Sequence, residues 1–247
     1  MDLGYHFTDD SFVDTVPAAL YLDQTEWGTP RGEISGGRSG RQLVRPYANG
    51  RPRVQDFANK SRSWAYRRTP WGFDIPVQAL NEPNLSHEQF GGGPDEYADW
   101  FWRLTDECPE VDFYYAPMSP DGNWLPWYTF GLPKRAIVQR AKGLVVHAYG
   151  DYYEIKQVMD QIIGLNFKRP IWVGEFNWGA GRTIDANWWA ETQLPLILNY
   201  FNEQPQIEAA TYFAWTWDRP DGGLDKGTPV DARKHESIQR EIRRWTT

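Results

Sequence analysis

Two glutamates occupy positions from which a side chain can do chemistry. Glu82 closes the run Ile75-Pro-Val-Gln-Ala-Leu-Asn-Glu-Pro-Asn84, and Glu175 lies in Pro170-Ile-Trp-Val-Gly-Glu-Phe-Asn-Trp-Gly179. Both follow short apolar runs that read as buried strands. A carboxylate in that setting is costly unless it sits at a solvent-lined mouth or has a partner. Paired carboxylates are the minimal equipment for breaking a glycosidic bond. One protonates the departing oxygen, and the other attacks or supports the oxocarbenium-like centre. The acid needs a raised pKa, which semi-burial and a nearby anion both provide.

Other apolar runs also end in polar or aromatic groups. Arg45 lies in Arg41–Ala48, His147 and Tyr149 finish Gly143–Tyr149, and Trp215 and Trp217 finish the run from Ala209 and open the loop after it. Asn81 is suited to hold a sugar 2-hydroxyl. Tyr149 or His147 is suited to donate to a carboxylate and keep it ionised and aimed. Trp178 and Trp217, with Trp27, Trp71, Trp124 and Trp127, fall in or near loops on the same predicted face, where flat rings can stack on sugars. Each residue also has a plain structural reading. Asn81-Glu82-Pro83 is a turn sequence, His147 a hydrogen-bonded core histidine, Arg45 an ion-pair member, and Trp215 and Trp217 are packing. Their order along the chain is what joins them.

The elements that must position these groups follow from hydrophobic periodicity. Strand signals fall at 3–7, 18–23, 41–48, 75–80, 111–117, 143–149, 170–176 and 209–215. Helix signals fall at 54–68, 95–107, 133–141, 152–165, 185–202 (interrupted near Pro195) and 235–245, with a brief helix ending near Pro17. Residues 24–40 hold four glycines beyond Gly28 and Pro30, and read as a long loop. Continuous apolar runs indicate strands buried on both faces, and their alternation with helices indicates a parallel sheet. Eight strands in 247 residues favour a compact (β/α)8 TIM barrel, a single domain over 1–247. The rival, a doubly wound open sheet, would often carry a Gly-rich phosphate fingerprint after its first strand, and none is found.

Composition narrows the partner class. A net charge of −7 argues against nucleic acid. The 14 Trp, 13 Tyr and 12 Phe exceed what a core needs and suit an aromatic cleft for an oligo- or polysaccharide. One cysteine, Cys108, and four scattered histidines offer no disulfide and no zinc-type spacing, so neither a metal nor another cofactor is expected. No run approaches 18 apolar residues, so no membrane span is expected. No signal peptide is read at the start, and both secreted and cytoplasmic locations stay open. A monomer is expected.

The order Asn81-Glu82-Pro83, His147-x-Tyr149, Gly174-Glu175-Phe176 and Trp215-x-Trp217 resembles clan A, the retaining glycoside hydrolases with a (β/α)8 barrel, which include cellulases, mannanases, xylanases and β-glycosidases. The resemblance covers residues 75–218. It implies Glu82 as acid/base and Glu175 as nucleophile, with Tyr149 or His147 touching the nucleophile. It also implies Trp215 as the floor of the subsite holding the sugar to be cleaved. The clan's arginine near the nucleophile comes from strand 2, whereas Arg45 falls on the third strand signal and is assigned to substrate. Two alternatives share the aromatic cleft: a non-catalytic carbohydrate-binding barrel and a glycosidase acting on peptidoglycan.

Overall fold

The computed structural model describes residues 1–7, 19–23, 41–46, 48, 50–65, 75–88, 90–120, 123–129, 131–178, 184–213 and 235–245. Eight strands run β1 (Asp2–Phe7), β2 (Ala19–Asp23), β3 (Arg41–Arg45), β4 (Val77–Ala79), β5 (Phe113–Tyr115), β6 (Gly143–Tyr149), β7 (Ile171–Asn177) and β8 (Ile207–Tyr212). Each pairs in parallel with the next, and β1 also pairs with β8. The sheet therefore closes into the expected barrel. The predicted brief helix before Pro17 and the predicted 24–40 loop lie outside the described residues.

Strand alternation sorts side chains to two sides. Leu43, Tyr114, Val145, Trp172 and Ala209, from β3, β5, β6, β7 and β8, form one small buried cluster inside the barrel. Their neighbours Val44, Tyr115, Val146, Val173 and Ala210 belong to the larger cluster between strands and helices. The interior is thus packed and not a pore. Gly143 is required there: a Cβ at that position would come within 2.2 Å of the Tyr114 ring.

The helices form α1 (Val54–Ala65), α2 (Pro94–Glu107), α3 (Pro126–Thr129), α4 (Gly131–Gln139), α5 (Tyr152–Gly164), α6 (Ala186–Trp188), α7 (Leu194–Glu203) and α8 (Glu236–Arg244). In α2, Pro94 occupies the first turn, where its missing N–H costs nothing. Tyr97, Trp100, Phe101 and Leu104 then make a buried stripe at helical spacing. A reciprocal capping box starts α5: Glu154 N–H donates to Asp151 at 2.9 Å, and Asp151 N–H donates to Glu154 at 2.9 Å.

Two local features differ from the sequence reading. Pro126–Thr129, where the sequence gives no helix signal, form the short helix α3, which buries Trp127 and Tyr128. The predicted interruption near Pro195 falls one turn earlier, as a π-helical turn over Trp189–Gln193. Pro195 has no N–H to return to the preceding turn, so the helix widens just before it.

Candidate active site

The strand ends bring the two glutamates to one imidazole. His147 and Tyr149 alternate on β6 and both face inward. Nδ1 of His147, a fully buried residue, lies 2.9 Å from Oε1 of Glu82 and 3.5 Å from Oε2 of Glu175. A bare lone pair facing two carboxylates would be repelled, so Nδ1 carries the proton and donates. The Tyr149 hydroxyl donates to Oε2 of Glu175 in a short hydrogen bond. Nη1 of Arg45 lies 3.5 Å from Oε1 of the same carboxylate. Arg45, expected on substrate, is therefore placed against Glu175, and it does come from the third strand.

Glu175 reaches this position through a bulge. The register between β6 and β7 runs Val146↔Val173 and then His147↔Glu175, so Gly174 is the extra residue. Bulges of this kind re-aim a side chain, and here the bulge turns Glu175 inward while Phe176 stays in the outer core against Phe201. The Thr211 hydroxyl donates to the Gly174 carbonyl at 2.6 Å and holds the kink. Only glycine fits at 174, since a Cβ would meet Val145 Cγ1 at 2.6 Å and the His147 ring at 3.5 Å. A glycine inside an apolar strand is a bulge signal that sequence reading alone can use.

Glu82 arrives differently. The chain leaves β4 with Leu80 at φ 74° and Glu82 at φ 30°, a left-handed backbone that non-glycine residues rarely adopt. Each such residue costs about 1–3 kcal/mol and persists only where its surroundings hold it. Beside it, the Asn81 side-chain amide donates to Glu88 at 2.9 Å, and its buried Oδ1 meets no hydrogen-bond partner among the described residues. A carboxylate can only accept, so Asn81 turns its N–H2 to Glu88 and presents an acceptor elsewhere.

The surroundings of Glu175 set its electrostatics. Burial pushes the Glu175 carboxyl above the usual carboxylate range. His147 and Arg45 pull it down, the Glu82 charge adds to the rise, and the Tyr149 hydrogen bond opposes it. Sequence reading places the raised pKa on the acid, Glu82. A rise falls on Glu175 as well, whose side chain is only 8% exposed. The Tyr149 hydroxyl is held well above its ordinary pKa by burial, then by Glu175 and Glu82, so it stays a neutral donor.

That direction sets a pH expectation. The acidic limb of kcat/KM reports the free-enzyme group that must be deprotonated. If that group is Glu175, the limb lies above the ordinary glutamate value of about 4.3. Tyr149→Phe removes a bond that favours the ionised form, so the limb moves to still higher pH. The expected loss in kcat/KM is about 10- to 100-fold, on the scale of a lost outer-shell orienting group. A pH–rate profile of both proteins checks this, and a limb that stays put or moves down contradicts it.

The aromatic residues are only partly where the sequence put them. Trp178 is half-buried, edge-on to Trp188 at 6.1 Å and to Trp189 at 5.7 Å. Trp188, which sequence reading does not single out, is 43% exposed. Trp127 is buried and packs against Tyr97, and Trp124 packs edge-on to Tyr128, so both rings serve the core more than an open cleft. Trp215, Trp217, Trp27 and Trp71 lie outside the described residues. Among the described residues, no group of three or more His, Cys, Asp or Glu side chains is arranged to hold a metal ion. No described helix is long and apolar enough to cross a membrane.

Residues 77–231, from β4 through β8 and beyond, match the family described as glycosyl hydrolase catalytic core. The chain belongs to that family. Both glutamates of this glycosyl hydrolase core, and the His147–Tyr149 pair, fall within the match; Arg45 precedes it. No curated protein matches the chain significantly in sequence. Solved structures share its fold. A GH128 subgroup I endo-β-1,3-glucanase of Amycolatopsis mediterranei, in complex with laminaritriose, is 17% identical with a TM-score of 0.65, over 98% of each chain. A GH128 subgroup II endo-β-1,3-glucanase of Sorangium cellulosum is 14% identical with a TM-score of 0.63, again over 98% of each chain. A GH128 subgroup VII oligosaccharide-binding protein of Trichoderma gamsii is 15% identical with a TM-score of 0.60, over 92% of this chain and 88% of that one.

Proposed function

We propose that this glycosyl hydrolase cleaves a β-linked glucan by a retaining double displacement, with Glu175 as nucleophile and Glu82 as acid/base. One observation carries the reading: both carboxylates contact Nδ1 of His147. The two oxygens concerned are thus no farther apart than the sum of those contacts, about 6.4 Å. Carboxyl groups sit about 5–5.5 Å apart in retaining sites and roughly 6.5–9.5 Å in inverting ones, where a water must fit between.

The roles follow from the partners. Arg45, Tyr149 and His147 all favour an ionised Glu175, as a nucleophile requires. The Glu82 charge works against that ionisation, so placing the pair's proton on Glu82 relieves it. Glu82 then gives its proton to the departing sugar oxygen as Glu175 attacks the anomeric carbon. Once the ester to Glu175 has formed, Glu82 takes a proton from water, which attacks the same carbon and frees Glu175. The clan A motif order supports the same assignment. Asn81, whose Oδ1 meets no partner among the described residues, is the candidate for a substrate hydroxyl. Trp178 and the exposed Trp188 are candidates for sugar stacking.

β-1,3-Glucan is the substrate to test first, since fold neighbours over nearly the full length are endo-β-1,3-glucanases. Reducing-sugar release from laminarin, β-1,4-glucan, mannan, xylan and peptidoglycan separates the alternatives. The expected result is release from laminarin with kcat of about 1 to 10³ s⁻¹, the ordinary enzyme range. Laminarin binding without hydrolysis overturns the reading in favour of a binding protein like the Trichoderma neighbour. Release from peptidoglycan alone overturns the glucan assignment.

A further inference from the structure

We propose that Asn84 is a positioning residue that sets Glu82 for proton transfer, acting through the backbone of Ser119. The inference rests on Glu82 being the acid/base. Leu80 and Glu82 both hold left-handed backbone between the end of β4 and the turn closed by Leu85 N–H to Glu82 O. Something must hold that conformation, because a glutamate has no intrinsic preference for it. The Asn84 side chain makes a reciprocal pair with a single residue: Nδ2 donates to Ser119 O at 3.0 Å, and Ser119 N–H donates to Oδ1 at 2.9 Å. Each amide atom meets its complement, so this side chain has one orientation.

The anchor at the other end is fixed by the core. Ser119 is buried and follows β5. Next to it, Met118 N–H donates to the Tyr128 hydroxyl at 3.0 Å, and Ala116 N–H donates to the Tyr97 hydroxyl at 3.1 Å. The Tyr97 hydroxyl itself donates to Ala79 O, the last residue of β4, at 2.7 Å. The two strand-end segments are therefore joined twice, once before Glu82 through Tyr97 and once after it through Asn84. Glu82 lies between the two ties, with its Oε1 on His147. Releasing the second tie frees the backbone that points Glu82, while Glu175 on β7 is untouched.

A purely structural residue and a residue that aims an acid leave different signatures. Asn84→Ala and the isosteric Asn84→Asp are compared with wild type and Glu82→Gln on two substrates, laminari-oligosaccharides and an activated aryl β-glucoside or laminaribioside whose leaving group needs no protonation. Asn84→Ala is expected to lose about 10- to 100-fold in kcat on the oligosaccharide, the scale of an ångström-level misplacement. On the activated substrate its first step changes by less than about threefold, with KM little altered. Asn84→Asp keeps the bond from Ser119 N–H and sets a carboxylate against Ser119 O, so it shows the same selectivity. Circular dichroism and Tm report whether each variant folds, and Asn84→Asp carries the test if Asn84→Ala does not. An equal loss on both substrates, or no loss, overturns the positioning role. If Glu82→Gln itself shows no leaving-group selectivity, the acid/base assignment fails instead.

Discussion

Under the proposed mechanism, Glu175→Gln is expected to lower turnover on β-glucan by about five orders of magnitude without unfolding the protein. The amide keeps the shape of the carboxylate, and its oxygen can still accept from Tyr149, but it cannot form the covalent intermediate. Arg45, at 3.5 Å, loses its anion and keeps its place on β3. The same substitution changes how stability depends on pH. Burial raises the Glu175 pKa, so the folded state binds this proton more tightly than the unfolded chain. The contribution of that carboxyl to stability is full below the ordinary carboxylate range and is lost as pH rises through the folded value. Glutamine never ionises and avoids that loss. The Tm of the variant relative to wild type therefore rises as pH goes up through the folded value and falls back as pH is lowered, on top of a constant cost from the new amide N–H2 facing the donors around Glu175. Steady-state kinetics and melting curves at two pH values check both parts. Retention of more than about 1% of kcat rules out a nucleophilic Glu175.

Glu82→Gln is the second large effect and has a different form. Loss of a general acid costs about 10²- to 10⁴-fold on a natural glucan. With an activated aryl glycoside the first step needs no acid, so Glu175 is glycosylated at close to the wild-type rate. The second step then stalls because no base activates water, and a burst of aryl release precedes slow turnover. Azide, an anion that needs no base, restores turnover and leaves as a glycosyl azide of retained configuration. The substituted amide keeps the length of the Glu82 side chain beside His147 Nδ1, so the site stays assembled. Equal losses on both substrates with no azide effect contradict the assignment.

Much of this site is legible without its geometry. An apolar run ending in Asn-Glu-Pro, and another carrying Val-Gly-Glu, place carboxylates at the ends of strands 4 and 7, and barrel closure then brings such ends to one mouth. Tyr149 is legible for the same reason, as the last inward position of β6. Other contacts depend on geometry that no local pattern encodes. The direction of Arg45 toward Glu175 depends on barrel closure across distant strands. Asn84 reads as one more turn residue until the loop after β5 is brought alongside it. Which face of a loop tryptophan is covered is likewise decided by its neighbours, so Trp127 reads toward the cleft and lies in the core. Gly174 is available as a bulge signal, but the re-aiming of Glu175 needs the register with β6. The π turn at Trp189–Gln193 shows the same limit. Proline forecasts the break, and packing decides which turn absorbs it.

The account is tested most directly by the stereochemistry of the first product. Laminari-oligosaccharide hydrolysis followed by proton NMR, before the new reducing end mutarotates, reads the anomer released. Two displacements through Glu175 and Glu82 predict that the β-anomer appears first and the α-anomer grows in later by mutarotation. Initial release of the α-anomer would mean a single displacement by water, and would contradict a nucleophilic Glu175.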